Sequence, residues 1–256
     1  MTAPYLPPHV SQFVNEHGKP WPKVSVGGKP ERDYTHVMCG DATAAAGFNH
    51  HFRGARSIDP TRIRQLSGHA SNRDGLTARE LAATLTKLVV PAYVRIVSPR
   101  RLRDVMAQPG VWINLLVDDD LFNGCDPSYL GDHWIGLAGG ATKVTAAGEV
   151  RWAAWDPTCP RKADADGLPA GVNWEDAGNI VAAARKWANQ HGYDGVVYVA
   201  VRQQREVPAP PAPPDPKDAR IAELEARIAD LEDEVDDLTT AVFAVADAIA
   251  PVTGGG

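Results

Sequence analysis

Residues 132–157 read DHWIGLAGGATKVTAAGEVRWAAWDP. Two runs inside this stretch have strand character, His133 to Leu137 and Val150 to Trp155, and Gly148 marks a turn before the second. Joined through the Gly139–Gly148 connection, they form an antiparallel pair that brings His133 beside Asp156. Further strands are expected at Ala92 to Val97, Val111 to Val117 and Val196 to Val201. Helices are expected from Cys39 through the alanine-rich stretch to Phe48. Another opens at Thr77-Ala-Arg-Glu80, whose spacing is that of a capping box, and runs to about Leu88. A longer one runs from Trp174 to about Gln190, with Asn173 as its cap and Gly192 just past its end. Helices first and then mostly consecutive strands give an α+β fold with an N-terminal helix packed on a largely antiparallel sheet.

The remainder of the chain divides by composition. Residues 1–30 are a proline-rich N-terminal extension, and 31–205 are the α+β domain. Val207 to Pro216 holds six prolines in ten residues, so 206–217 reads as an extended linker. Beyond it Ile221, Ile228, Val235, Val242 and Ile249 alternate at 3-4 spacing with Leu224, Leu231, Leu238 and Val245. This heptad predicts a parallel coiled-coil oligomerisation helix over 218–250, roughly 50 Å long, with 251–256 as a tail. Across two parallel strands, Arg220 faces Glu225 and Arg227 faces Glu232. β-Branched residues at one seam position and leucine at the other favour a dimer, while Val245 leaves a trimer open. The alternative is one amphipathic helix folded back on the domain.

Composition excludes several classes. The 256 residues carry 26 Lys plus Arg against 32 Asp plus Glu, a net charge of −6 that argues against nucleic-acid binding. No apolar run reaches the ~18–20 residues that span a bilayer. The first residues lack the charged and apolar regions of a secretory signal. Cys39, Cys125 and Cys159 are too few for a disulfide framework; the latter two occupy loop contexts and either are incidental or pair with each other. His36, Cys39, His50 and His51 match no common zinc spacing, Asp118-Asp119-Asp120 lacks the spaced ligands of a calcium loop, and no phosphate loop is present. No metal or organic cofactor is expected.

Cys39 supplies a different chemistry. A thiol at a helix N-terminus sits at the positive end of the helix dipole, and Gly40 lets a carbonyl approach the backbone amides there. A cysteine nucleophile needs a base and a residue to orient that base, and His133 with Asp156 supplies both. A core cysteine, a structural histidine and a turn aspartate are the bland alternatives for each residue singly. Trp134, next to the base, is placed to wall a substrate groove.

Cys39-Gly40 opening a small-residue helix, Asp132-His133-Trp134 on one strand and Trp155-Asp156-Pro157 on the next resemble papain-like cysteine peptidases. Among these, the bacteriocin-leader-processing (double-glycine) peptidases match best, over roughly Asp33 to Val201. The resemblance implies Cys39 as nucleophile, His133 as general base and then acid, and Asp156 as orienting residue. In that family a Gln six residues before the cysteine donates to the oxyanion. Here the position is Asp33, which cannot donate and would repel the developing charge; losing one such donor costs about 3–4 kcal/mol. His36 or a shifted register is the candidate replacement. With 18 Arg, 8 Lys, a proline spacer and a stalk, the whole chain resembles phage virion or lysis proteins of actinobacteria. That resemblance implies peptidoglycan peptides or another protein as substrate, and the virion, or the host cytoplasm before release, as location. The alternative is a catalytically silent papain-like module of a phage tail or head appendage, acting through multivalent display.

Overall fold

The structure, a computed structural model, describes residues 5–15, 17–71, 73–118, 132–158, 168–169 and 171–204. These all belong to one compact unit ending at Gln204. The expected linker, the 218–250 coiled coil, Cys125 and Cys159 lie outside the described residues.

A 3₁₀ turn, Thr35–Val37, leads into α1 (Cys39–His51), followed by α2 (Pro60–Ser67) and α3 (Ala78–Lys87). Then come β1 (Ala92–Val97), α4 (Pro99–Met106), β2 (Val111–Asp118), β3 (Asp132–Val144), β4 (Val150–Trp155), β5 (Val172–Asp176), α5 (Ala177–Gln190) and β6 (Val196–Arg202). The strands form one sheet in the order β1-β6-β2-β3-β4-β5, with every neighbouring pair antiparallel. None of the described helices is long and apolar enough to cross a membrane.

The sheet is covered on both faces. β2 is buried along its whole length, and its side chains alternate between two cores. Trp112 and Leu116 join α1 and α3, whereas Val111, Ile113, Leu115 and Val117 join α4 and α5. Helix α1 is buried at all thirteen residues, enclosed by the sheet, α2 and α3. Alanine and glycine predominate there because a helix enclosed on all sides must let its neighbours approach closely. Trp112 shows how closely: a Cβ on Gly47 of α1 would lie 2.8 Å from its ring, and one on Gly136 of β3 only 2.2 Å.

Three features differ from the sequence expectations. Asn173 does not cap α5. It pairs with Ala154 in β5, and Asp176 is the cap, its Oδ1 accepting from the Asn179 amide at 2.9 Å. Strand β3 runs on to Val144, with a register shift between Leu137 and Thr142, so the connection to β4 is only Thr145–Glu149. Residues 5–30 are stitched into the domain. Trp155 Nε1 donates to the Pro7 carbonyl and Gln12 N to that of Pro157, at 2.9 and 3.0 Å.

Candidate active site

Cys39 is the first residue of α1 and is 2% exposed. The helix start has no side-chain cap, Met38 occupying that position. The amides of a helix's first turn lack intrahelical partners and can meet an anion, and that of Asp41 is bonded to its own carboxylate.

His133 and Asp156 are brought together by the β3–β4 register. Gly136 faces Trp155, so the next step places Ile135 level with Asp156, and His133 takes the diagonal position on the same face. His133 Nε2 donates to Asp156 Oδ1 at 2.9 Å, with both side chains buried. The same oxygen accepts the Thr158 amide at 2.8 Å and its hydroxyl at 2.7 Å. The backbone behind the carboxylate is fixed too, because buried His9 donates through Nε2 to the Asp156 carbonyl at 2.7 Å.

The electrostatics follow from this arrangement. Burial disfavours a charged imidazole, but the Asp156 charge and hydrogen bond, together with Cys39 as hydrogen-bond partner and charge, outweigh it and raise His133 to about 10. Burial likewise disfavours the Asp156 carboxylate. His133 and the two Thr158 donors overcome that and hold it down at about 2. The pair titrates as a unit, and near neutrality it rests as imidazolium and carboxylate with the sulfur beside it.

Of these residues Cys39 lines a cleft of about 700 Å³, together with Leu76, Trp134, Trp187, His191 and Tyr193. Trp134 is anchored by its Nε1, which donates to the Leu76 carbonyl at 2.9 Å, and it lies over Gly40, where a Cβ would come within 3.0 Å of the indole. The far wall is an aromatic stack: Trp187 lies 4.2 Å from His191 and 5.6 Å from Tyr193, nearly parallel to each. His191 ties this stack to the start of β3 through Asp132, at 3.1 Å. The stack, His9 and Gln12 escaped the sequence reading. The spacing of Trp187 and His191, four apart on one helix, was the available signal for the first.

Asp33 is exposed and turned away to Thr35, whose amide and hydroxyl donate to its Oδ1 at 2.9 and 2.7 Å. Those bonds hold its carboxyl below the usual range. It fixes the entry to the 3₁₀ turn, whose cap residue is Tyr34, and is not among the residues lining the cleft, whereas His36 is. His50 and His51 are drawn away from Cys39, their Nδ1 atoms engaging the carbonyls of Tyr5 and Arg202.

Beneath Cys39 lies a buried ion pair. Arg64 of α2 meets Asp41 of α1 at 2.6 Å, both side chains fully buried, and the same guanidinium nitrogen donates to the Val37 carbonyl at 2.6 Å. Burial pushes the Asp41 carboxyl up to about 7 against the pull of Arg64. The guanidinium thereby clamps the backbone just ahead of Cys39 to the first turn of its helix.

No family model and no curated protein sequence matches the chain. Solved structures to which the chain is similar include three. The peptidase domain of Streptococcus ComA, a bi-functional ABC transporter involved in a quorum sensing pathway, aligns over 66% of this chain and 93% of its own, at 15% identity and a TM-score of 0.42. A double glycine motif protease from an AMS/PCAT transporter, in complex with the leader peptide, aligns over 79% and 96%, at 13% identity and a TM-score of 0.42. UfSP from C. elegans aligns over 72% of this chain and 32% of its own, at 15% identity and a TM-score of 0.35.

Proposed function

We propose that this chain is a papain-like cysteine hydrolase that cleaves a peptide or related amide bond. The observation that carries this reading is the buried line from Cys39 through His133 to Asp156, with Cys39 at the wall of a cleft. A protonated imidazole beside the sulfur is the charge partner through which cysteine nucleophiles act as thiolates. The Cys39 sulfur attacks the substrate carbonyl, and the developing oxyanion is met by first-turn amides of α1. His133 then gives its proton to the departing amine as the acyl–sulfur bond persists. Water, deprotonated by the same imidazole, next releases the acid and regenerates the thiol. Asp156 keeps the ring oriented and stabilises its charged form throughout. Asp33, bound to Thr35, takes no part, so its replacement of a donor does not place a repelling charge on the oxyanion.

In the same reading, residues 218–250 associate as a parallel coiled coil and display two or three copies of the domain beyond the proline-rich linker. The substrate class follows from the resemblance to phage virion and lysis proteins: peptidoglycan peptides, or a protein processed during assembly.

The test is the pH dependence of iodoacetamide alkylation, followed residue by residue by mass spectrometry. Cys39 of the wild type is expected to react fast at pH 6, and His133→Ala to lower that rate by at least tenfold while Cys125 and Cys159 are unaffected. A Cys39 that reacts like an ordinary thiol, with its rate still rising through pH ~8.5, overturns the hydrolase and leaves a silent binding module.

A further inference from the structure

A second cavity, about 570 Å³, adjoins the cleft and shares Arg73 with it. One wall is the hairpin that the mutual Val24–Arg32 backbone bonds close at 3.0 and 3.1 Å. It presents Lys29 and Arg32. The opposite wall is the loop Ser67–Ser71 with Arg73. Three exposed cations thus face one space, and none of the ion pairs among the described residues engages them.

The three cations outnumber the one acid on the wall, and the other groups that would oppose an anion are hydrogen-bonded. Glu80 is the acid on the wall; its Oε1 accepts from His69 at 2.8 Å, and its Oε2 from the Thr77 amide and hydroxyl at 2.9 and 2.8 Å. Asp74, beside Arg73, is turned to the Ser71 hydroxyl at 2.8 Å. The C-terminal carbonyls of α2 would repel an anion, but Ser67 Oγ covers that of Arg64, Gly68 N that of Gln65 and Lys87 Nζ that of Leu66. What remains is a cationic cavity on a chain whose net charge is −6, opening onto the cleft that holds Cys39. Local charge of one sign concentrates oppositely charged ligands there.

We propose that this cavity is a subsite for carboxylate side chains, so that the preferred substrate of the site described above is a peptide with an acidic run a few residues from the bond at Cys39. The proposal rests on the hydrolase reading for its biological purpose, but the binding it claims does not.

The probe is a fluorescein-labelled hexa-aspartate peptide that carries a benzoylphenylalanine two residues beyond the acidic run. Its binding to the full chain is followed by anisotropy at low salt, against hexaserine and hexalysine peptides of the same design. The hexa-aspartate peptide alone is expected to bind, and Lys29→Gln with Arg32→Gln to weaken it at least fourfold, at about two- to fivefold per surface cation. Irradiation is expected to cross-link it to the cleft, within 74–78 or 187–193. An affinity unchanged in the double variant overturns the proposal, as do cross-links confined outside the cleft. Displacement by inorganic phosphate at equal concentration also overturns it, in favour of a small-anion site. Failure of the hydrolase reading shows separately, as slow alkylation of Cys39 in the peptide-free protein, and leaves the binding result standing.

Discussion

Trp112 illustrates how a single residue organises the layer that holds Cys39. It is fully buried, its Nε1 donates to Asn114 Oδ1 at 3.0 Å, and Asn114 in turn donates to the Val199 carbonyl at 3.3 Å. Gly47 and Gly136 leave the space its ring fills, and Trp155 meets it edge-on with centroids 5.0 Å apart. A methyl at Gly136 has no room at 2.2 Å from that ring. Gly136→Ala must therefore displace Trp112 or bend β3 three residues from His133, at about 1–3 kcal/mol. Urea unfolding of the variant is expected to show a lower midpoint at unchanged slope; an unchanged midpoint refutes the packing argument. The tryptophan was legible in the sequence as a strand residue in the core. Its glycine seats were not, because they are set by helix and strand neighbours far along the chain.

At the scale of elements, what the sequence disclosed follows from how local each signal is. The Thr77–Glu80 capping box forms as written, with both reciprocal bonds present, and β1 and β4 have the expected ends because period-2 patterning needs no distant partner. Helices α2 and α4 were passed over although each begins with a capping residue and proline, Asp59-Pro60 and Ser98-Pro99; they are short and rich in arginine, so their apolar stripe is thin. Strand β5 was mistaken for a helix start, since Asn173 is a good cap in isolation and only pairing with β4 decides against it. The joint between α1 and α2 was invisible, because nothing in the spacing of Asp41 and Arg64 announces a buried ion pair. That joint gives the element-scale prediction. Arg64→Met leaves Asp41 and the Val37 carbonyl without their partner and is expected to cost about 3–5 kcal/mol. The double variant Arg64→Met with Asp41→Leu removes both charges and is expected to recover much of that loss in the same unfolding experiment. A double variant no more stable than the single one contradicts this account.

Across the described residues, four buried groups have pKa values moved far by folding, and each changes stability with pH in its own sense. Asp156 falls from 3.8 to about 2 on folding, so its contribution is present above pH 3.8 and is lost as pH drops towards 2. His50, held neutral by burial at about 4 against an ordinary 6.5, makes stability fall as pH drops from 6.5 to 4. Asp41 rises from 3.8 to about 7, so it favours the folded state at low pH and loses that advantage as pH climbs from 4 to 7. The last two windows nearly coincide with opposite slopes and offset each other, leaving these groups a plateau between about pH 4 and 6.5. Above it His133 governs. Its rise from 6.5 to about 10 stabilises fully below pH 6.5, and the benefit disappears as the imidazolium loses its proton on the way to pH 10. Thermal melting of the full chain at intervals from pH 4 to 10, for wild type and His133→Ala, follows this group together with Asp156, its coupled partner. The wild type is expected to melt higher by a margin that is large near pH 6.5 and shrinks steadily towards pH 10. A margin independent of pH would mean that His133 is buried neutral, and with it the charged partner proposed for Cys39 would be lost.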